Sequence, residues 1–465
     1  MNESGTPRIG LLPLMLEMYK EFLPEMQTRQ SVFIREIADK LGSFTEVTTA
    51  SICTNRGEVK SAIAGFEAEH ADVILVIFVS YATSISVLVP LLETNIPIVL
   101  FSTTPKNSMA GGMRMDDIML NHGIHGYMDL ANVLRRNRRW FQFVSGCKND
   151  ANAFNEIETW ARAARAKSML KQSTIGIAGY TFDGMGDFGI DTTYLHARLG
   201  PEVRHIPLNT LAEHIRGVGD DEVIKEIEGD KKNYEIGPGV TADIHGESNR
   251  VYLGLKKIVD ELGINAFTMH FQGILENPDI RTLPFLAASK LQEGGLVYSG
   301  EGDFLGATAG LMLRYLCGNT VFTETFCPDF DGGRIVMGHM GESNPAFGVK
   351  TLLRRKKFVF GEALDPVIAD TQMKPQRVTV LNLGIVEDNE FQMIVYGGEV
   401  CDKIPGSEDI DMPYFHFKPD MELPAFLTEY GRAGGTHHIA VTDGDRQDDI
   451  LKLAEMLQIN AVVLM

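Results

Sequence analysis

VILVIFV, residues Val73–Val79, followed at once by SYATS, Ser80–Ser84, is the stretch on which the fold turns. Seven consecutive apolar residues are too few to cross a bilayer, and a run without polar alternation has no face to give to water. It is a strand buried on both sides, and such strands belong to parallel sheets covered by helices. Outward from it, RIGLLPL (8–14), the run through Thr45 to Ile52 and PIVLFST (97–103) have the same character, while Phe22–Leu41 and Val59–Glu69 have helical periodicity. The alternation predicts an open doubly wound sheet, in which ligands gather at the carboxyl ends of the strands. SYATS then lies where such a sheet meets a ligand.

A helix expected over Asn149–Leu170 leads into a second α/β unit. Its strands are read in STIGIAGYTFDGMGD (173–187), EVRHIPLNTL (202–211), INAFTMHF (264–271) and GGLVYSGEGD (294–303), with helices around Glu222 and over Val251–Leu262. The charged stretch DDEVIKEIEGDKKNYEI (220–236) reads as a solvated helix face. Beyond Cys317, RIVMGHM, KFVFGEAL, RVTVLNLGIV, FQMIVYGGEV and HIAVTDG alternate with polar or glycine-containing turns, the pattern of a mostly antiparallel β domain of barrel type. DPVIADTQMKPQR (365–377) and PGSEDIDMP (405–413) read as surface loops. The expected organisation is an N-terminal α/β domain over 1–165, a central α/β domain over 166–316 and a mainly β domain over 317–465.

The formal net charge of −19 argues against an extended nucleic-acid or anionic-membrane surface and suits a small-molecule partner. Five widely spaced cysteines with no CxxC pair read as reduced thiols, and the N-terminus lacks the features of a signal peptide, so a cytoplasmic location is expected. No phosphate loop or dinucleotide glycine fingerprint stands at a strand-to-helix turn.

The chemistry concentrates in Glu301 of GEGDF, Glu324 of FTETF, His339 of MGHMGE and His438 of AGGTHH. Two carboxylates and two imidazoles, with no thiol, suit a borderline-to-hard divalent ion such as Mn²⁺. Each has a plainer reading. Glu301 stands where an acid caps a helix, with Asp303 sharing the role, and Glu324 could be a solvated edge residue with Asp329 and Asp331 as rival ligands. His437 and His438 are adjacent, and alternation along a strand turns only one of them toward a shared site.

Taken in order, LNHGIHG, INAFTMHF, the LP of RTLPFLAASKLQEGG, GEGD, FTE, GHM and AGGTHH resemble the L-arabinose isomerases from about residue 8 to about residue 445. The resemblance implies that Glu301, Glu324, His339 and His438 are the metal ligands and that Glu301 and Glu324 are the acid and base of an aldose–ketose isomerisation using Mn²⁺ or another divalent ion. It implies substrate-binding roles for His122, His125, Phe271, Met185 and Tyr19. It also implies a homo-oligomer, hexamer or tetramer, whose subunits share sites through the loop of His125. The chain departs from the family pattern after VILVIFV, at Glu17 and Met18, at His122 in place of a glutamine, and around Phe271, where Met269, His270 and Gln272 stand. Those changes point to the same chemistry on a different sugar. Two other functions fit the same residues: a non-catalytic sugar-binding or regulatory protein on this fold, and another metal-dependent reaction on a sugar or sugar acid.

Overall fold

The structure, a computed structural model, describes residues 5–358, 363–406 and 410–465. The chain forms two compact units, Gly5–Ser168 and Met169–Met465, and each is described by itself.

In the first unit, β1 (Arg8–Leu14), β2 (Glu46–Thr49), β3 (Val73–Phe78), β4 (Ile98–Ser102) and β5 (Gln142–Ser145) form a parallel sheet of order β2-β1-β3-β4-β5. Every residue of β3 is buried, as its unbroken apolar run requires. The strand order reverses between β1 and β3, which opens a crevice at their carboxyl ends. Helices cover the sheet. The helix expected from Val59 starts earlier, at Arg56, because the Asn55 side chain accepts from the backbone N–H of Glu58 at 3.1 Å. Tyr127, buried, ties this sheet together: its hydroxyl accepts from the Phe78 N–H at 2.9 Å and donates to the Phe101 carbonyl.

The second unit begins with another parallel sheet. Strands β6 (Thr174–Ala178) and β7 (Glu202–Ile206) are followed by the two-residue β8 (Glu235–Ile236), which pairs elsewhere, and by β9 (Ala266–Met269) and β10 (Val297–Gly300). The sheet order is β10-β9-β6-β7. The helix after β10, Phe304–Cys317, is almost wholly buried.

Downstream, β11 (Val321–Asp329), β12 (Arg334–Gly338), β13 (Gly348–Arg355), β14 (Val367–Met373), β15 (Gln376–Ile385), β16 (Phe391–Cys401), β17 (Tyr414–Pro419), β18 (His438–Asp443) and β19 (Asn460–Leu464) complete the unit. Strands pair in the order β15-β18-β11-β12-β17-β16, and β15 pairs again with β16, so six antiparallel strands close into a barrel, with β19 added parallel to β16. The parallel sheets and the antiparallel barrel are the architecture expected from the sequence. One stretch differs: residues 365–377, read as a surface loop, contain β14. Val367 and Ala369 are buried there against Ile244, Leu286 and Leu353, and β14 pairs with β13 along its length. The prolines that suggest a loop, Pro366 and Pro375, flank the strand, and its polar residues Asp370, Thr371 and Gln372 lie within it. Of KFVFGEAL, residues 359–362 lie outside the described residues, as do 407–409 of PGSEDIDMP. Among the described residues, no helix is long and apolar enough to cross a membrane.

Candidate metal and active site

Sheet register assembles the site. On β11, Glu324 stands opposite Gly338 of β12 on one side and His438 of β18 on the other. Glu324 is therefore interior to the barrel wall, not on a solvated edge. His339 follows Gly338 directly, so the middle of β11, the end of β12 and the start of β18 bring one carboxylate and two imidazoles together. Asp329, the rival ligand from the same strand, is occupied by Arg334 at 3.0 Å.

Glu301 arrives from the parallel sheet, immediately after β10. Its backbone is left-handed, φ +60, and so is that of Gly302, φ +77. A glutamate in this conformation costs on the order of 1 kcal/mol. Gly302 is required: a Cβ there would lie 2.5 Å from Thr181 Cα. The turn is held by the Phe182 N–H donating to the Glu301 carbonyl at 2.9 Å and by the Thr181 hydroxyl donating to the Gly302 carbonyl at 3.0 Å. This frees Glu301 from capping. Asp303 alone caps the helix Phe304–Cys317, accepting from the N–H groups of Leu305 at 2.8 Å and Gly306 at 2.9 Å.

Three histidines converge on Glu324, and each holds a carboxylate on its far nitrogen. His438 Nε2 lies 2.9 Å from Glu324 Oε1 and its Nδ1 lies 3.0 Å from Asp303. His339 Nε2 lies 3.7 Å from Glu324 Oε1 and its Nδ1 lies 2.6 Å from Glu342. His437 Nε2 lies 3.9 Å from Glu324 Oε1 and its Nδ1 lies 2.5 Å from Asp187. A carboxylate on Nδ1 fixes the tautomer that presents the Nε2 lone pair to an ion. Rings pack the assembly: His438 is stacked on Phe188 at 5.0 Å and meets the edge of Phe322 at 4.8 Å.

Burial and neighbouring charge set the protonation states. Burial pushes the Glu301 carboxyl above its ordinary range, and the Glu324 carboxylate adds to that against the pull of the histidines. Burial would raise Glu324 as well, but the His438 hydrogen bond and the His339 charge outweigh it and hold Glu324 below its ordinary range. For His438, burial opposes the charge, yet Asp303 and Glu324 raise it to about 10. His339 is raised against its burial by Glu342, whose own carboxylate is held low.

The residues fit a divalent ion. Single ligand atoms of Glu301, Glu324, His437 and His438 all lie within 4.8 Å of one another. Glu301 Oε2 is buried without a hydrogen-bond partner and is 3.7 Å from His438 Nε2, an orphaned acceptor that an ion would satisfy. His437 belongs to this group although alternation would turn it away. It lies in a bend before β18 begins, where the pleat does not operate. The fourth sequence candidate, His339, approaches Glu324 but falls outside that tightest group.

The other candidates are distributed as follows. Phe271 lines a cavity of about 230 Å³ with Glu301, His339 and Glu342. Met185 lies half-buried two residues before Asp187, the partner of His437. In the first unit, the Tyr19 hydroxyl is 3.3 Å from His122 Nε2, the His122 and His125 rings are 6.1 Å apart, and Tyr81 packs on His125 at 6.2 Å. Neither histidine caps the following helix, which starts at Ile124 and places His125 inside its first turn. Asp187 and Glu342 carried no sequence signal of their own. Only the register of the histidines they orient reveals them.

A parallel-sheet glutamate thus meets a glutamate and three histidines on a closed barrel, a donor set in an α/β protein that could hold a divalent ion. The family models agree: the L-arabinose isomerase central domain matches residues 189–317, and the L-arabinose isomerase C-terminal domain matches residues 319–460. The chain is 28% identical over 371 residues to the L-arabinose isomerase of Cellvibrio japonicus, covering 76% of this chain and 72% of that protein. It is 25% identical over 395 residues to that of Klebsiella pneumoniae strain 342, covering 80% and 76%. The chain belongs to the L-arabinose isomerase family.

Proposed function

We propose that this protein is a divalent-metal-dependent aldose–ketose isomerase acting on a small sugar, with Mn²⁺ or another divalent ion as its cofactor. Its relatives are L-arabinose isomerases, and the chain is an enzyme of that intramolecular-oxidoreductase class. The observation that carries the reading is geometric: ligand atoms of Glu301, Glu324, His437 and His438 lie within 4.8 Å of one another at the side of a cavity, and one oxygen of Glu301 is buried there without a hydrogen-bond partner.

Glu301, Glu324, His339 and His438 would hold the ion, with His437 beside them. When bound, the ion supplies Lewis-acid polarisation of neighbouring sugar oxygens. Glu324 stays ionised and orients His438. Glu301 and Glu324 are the acid and base that move the proton between C2 and C1, and Glu301, which lines the cavity, is the one placed to face the sugar. Phe271 and Met185 form part of the sugar-facing shell, which the sequence departures around Phe271 alter. The division of the chain at 165/166 and 316/317, and a cytoplasmic location, belong to the same reading.

Tyr19, His122 and His125 are proposed to serve the site of a neighbouring subunit in a homo-oligomer. Support comes from exposed apolar side chains on the flanking segments, among them Met18, Phe22, Met113, Met115, Ile124 and Met128. Light scattering of the purified protein tests the assembly.

The deciding experiment is incubation with Mn²⁺ and a panel of tetroses, pentoses and hexoses in D₂O, read by NMR. New ketose carrying solvent deuterium at C1 supports the Glu301 shuttle. Ketose without deuterium removes this support and is the outcome expected of a direct hydride shift, and silence across the panel and across the matching sugar acids and sugar phosphates would overturn the isomerase reading.

A further inference from the structure

The cavity beside Glu301 is chemically lopsided. Its lining holds Glu301, His339 and Glu342 of the site, and the rest of the wall is largely apolar: Met269, Phe271, Leu283, Phe285, Met340 and Phe358. Among the described residues, no Asn, Gln, Ser or Thr side chain lines it, and the Tyr298 hydroxyl is already given to Glu342 at 2.5 Å. The remaining polar groups are two cations, Lys356 and Lys357. A neutral polyol tail ordinarily meets amides and hydroxyls that both donate and accept, and an ammonium only donates.

Lys356 is 9% exposed, and among the described residues its Nζ has one acceptor, the Asp411 carbonyl at 2.6 Å. An ammonium has three N–H donors, and a buried one is costly without a counter-charge. Asp411 and Glu342 both act on it favourably, but Glu342 is committed to His339 and Tyr298 at 2.6 and 2.5 Å. Burial lowers the Lys356 pKa despite these neighbours, the mark of an incompletely compensated cation.

We propose that this cavity takes the distal end of a substrate terminating in an anionic group, a carboxylate or a phosphate, with Lys356 as its counter-ion and Lys357, exposed on the same wall, assisting at the mouth. The proposal rests on the isomerase reading for the reaction at the other end of the substrate, but not for the recognition itself. Apolar walls keep the local dielectric low, which strengthens an ammonium–anion contact and leaves a neutral tail's hydroxyls without partners.

The test separates recognition from turnover. Binding of ribitol, ribonate and ribitol 5-phosphate to the Mn²⁺-loaded protein is measured by calorimetry, and turnover of ribose, glucuronate and ribose 5-phosphate by NMR. The proposal expects one of the two anions to bind and react better than the neutral partner, and the winning arm distinguishes phosphate from carboxylate. Lys356→Met should reduce the anion-to-neutral ratio of affinities by about 30-fold or more, while Lys356→Arg retains most of it. Mn²⁺ affinity and melting temperature confirm that each variant is folded. Anion-selective binding with no turnover on any sugar would sink the isomerase and keep the anion site. Neutral ligands binding as well as or better than both anions would overturn this proposal and leave the isomerase standing.

Discussion

Replacing Asp303 with asparagine tests whether the site is held by its outer carboxylates. Asp303 Oδ1 accepts from Leu305 N–H, and Oδ2 accepts from Gly306 N–H and lies 3.0 Å from His438 Nδ1. An amide keeps one oxygen, so its NH₂ must face either the Leu305 N–H or the pair Gly306 N–H and His438 Nδ1–H, donor against donor. Losing half of a helix cap costs about 1 kcal/mol, and a buried donor left unmatched costs about 1–3 kcal/mol. Whichever way the amide turns, His438 Nδ1 no longer faces a carboxylate, so Mn²⁺ affinity should drop by roughly 10- to 100-fold, the usual cost of removing a carboxylate that orients a ligating histidine. Calorimetric titration with Mn²⁺, alongside thermal melts of the metal-free protein, reads the two effects separately. Asp191→Asn is the control: Asp191 caps the helix Thr192–Leu199 through Thr193 and Tyr194 N–H and touches no histidine. It should lower the melting temperature and leave Mn²⁺ affinity alone. If Asp303→Asn bound Mn²⁺ within about threefold of the parent protein, orientation of His438 by Asp303 would be refuted.

Glu301→Gln should lower kcat by about 10²-fold or more with the fold intact, judged by circular dichroism, because it removes the proton carrier. Glu324→Gln should instead lower Mn²⁺ affinity first, measured by titration, since its carboxylate faces three histidines. In the metal-free protein, His438 has its pKa raised to about 10, so the stability it contributes is complete below its unfolded value near 6.5 and is lost as pH rises through about 10. Melting temperatures in EDTA between pH 6 and 10.5 should fall across that window, and less so for His438→Asn. Gly302→Ala forces a side chain onto a φ of +77 and against Thr181 Cα, so denaturant titration should show a loss of about 2–4 kcal/mol.

What could be read from the sequence depended on whether a residue's meaning was local. The strand Val73–Phe78 announces itself because a fully buried strand has to be apolar throughout. The strand Val367–Met373 does not, because its polar residues and flanking prolines belong to a narrow three-stranded sheet with a half-exposed face. Glu301, Glu324, His339 and His438 stood out through their glycine-rich or polar settings and the order of their motifs. Asp187 and Glu342 did not, since a carboxylate that orients a distant histidine leaves no periodic trace. His437 was judged by strand alternation, and it escapes that rule by lying just ahead of the first paired residue of β18.

The closure of the barrel has a consequence for how this protein can change. Glu324 and His438 sit on paired strands of a ring without free edges, so neither can shift without displacing its neighbours on both sides. The apolar and cationic walls of the cavity, Met269, Phe271, Leu283, Phe285, Met340 and Lys356 to Phe358, come from segments outside that ring. Substrate range and ion binding are therefore mechanically separable. The outer segments form a replaceable collar, open to variation by selection or by design, while the ring keeps Glu324 and His438 in register.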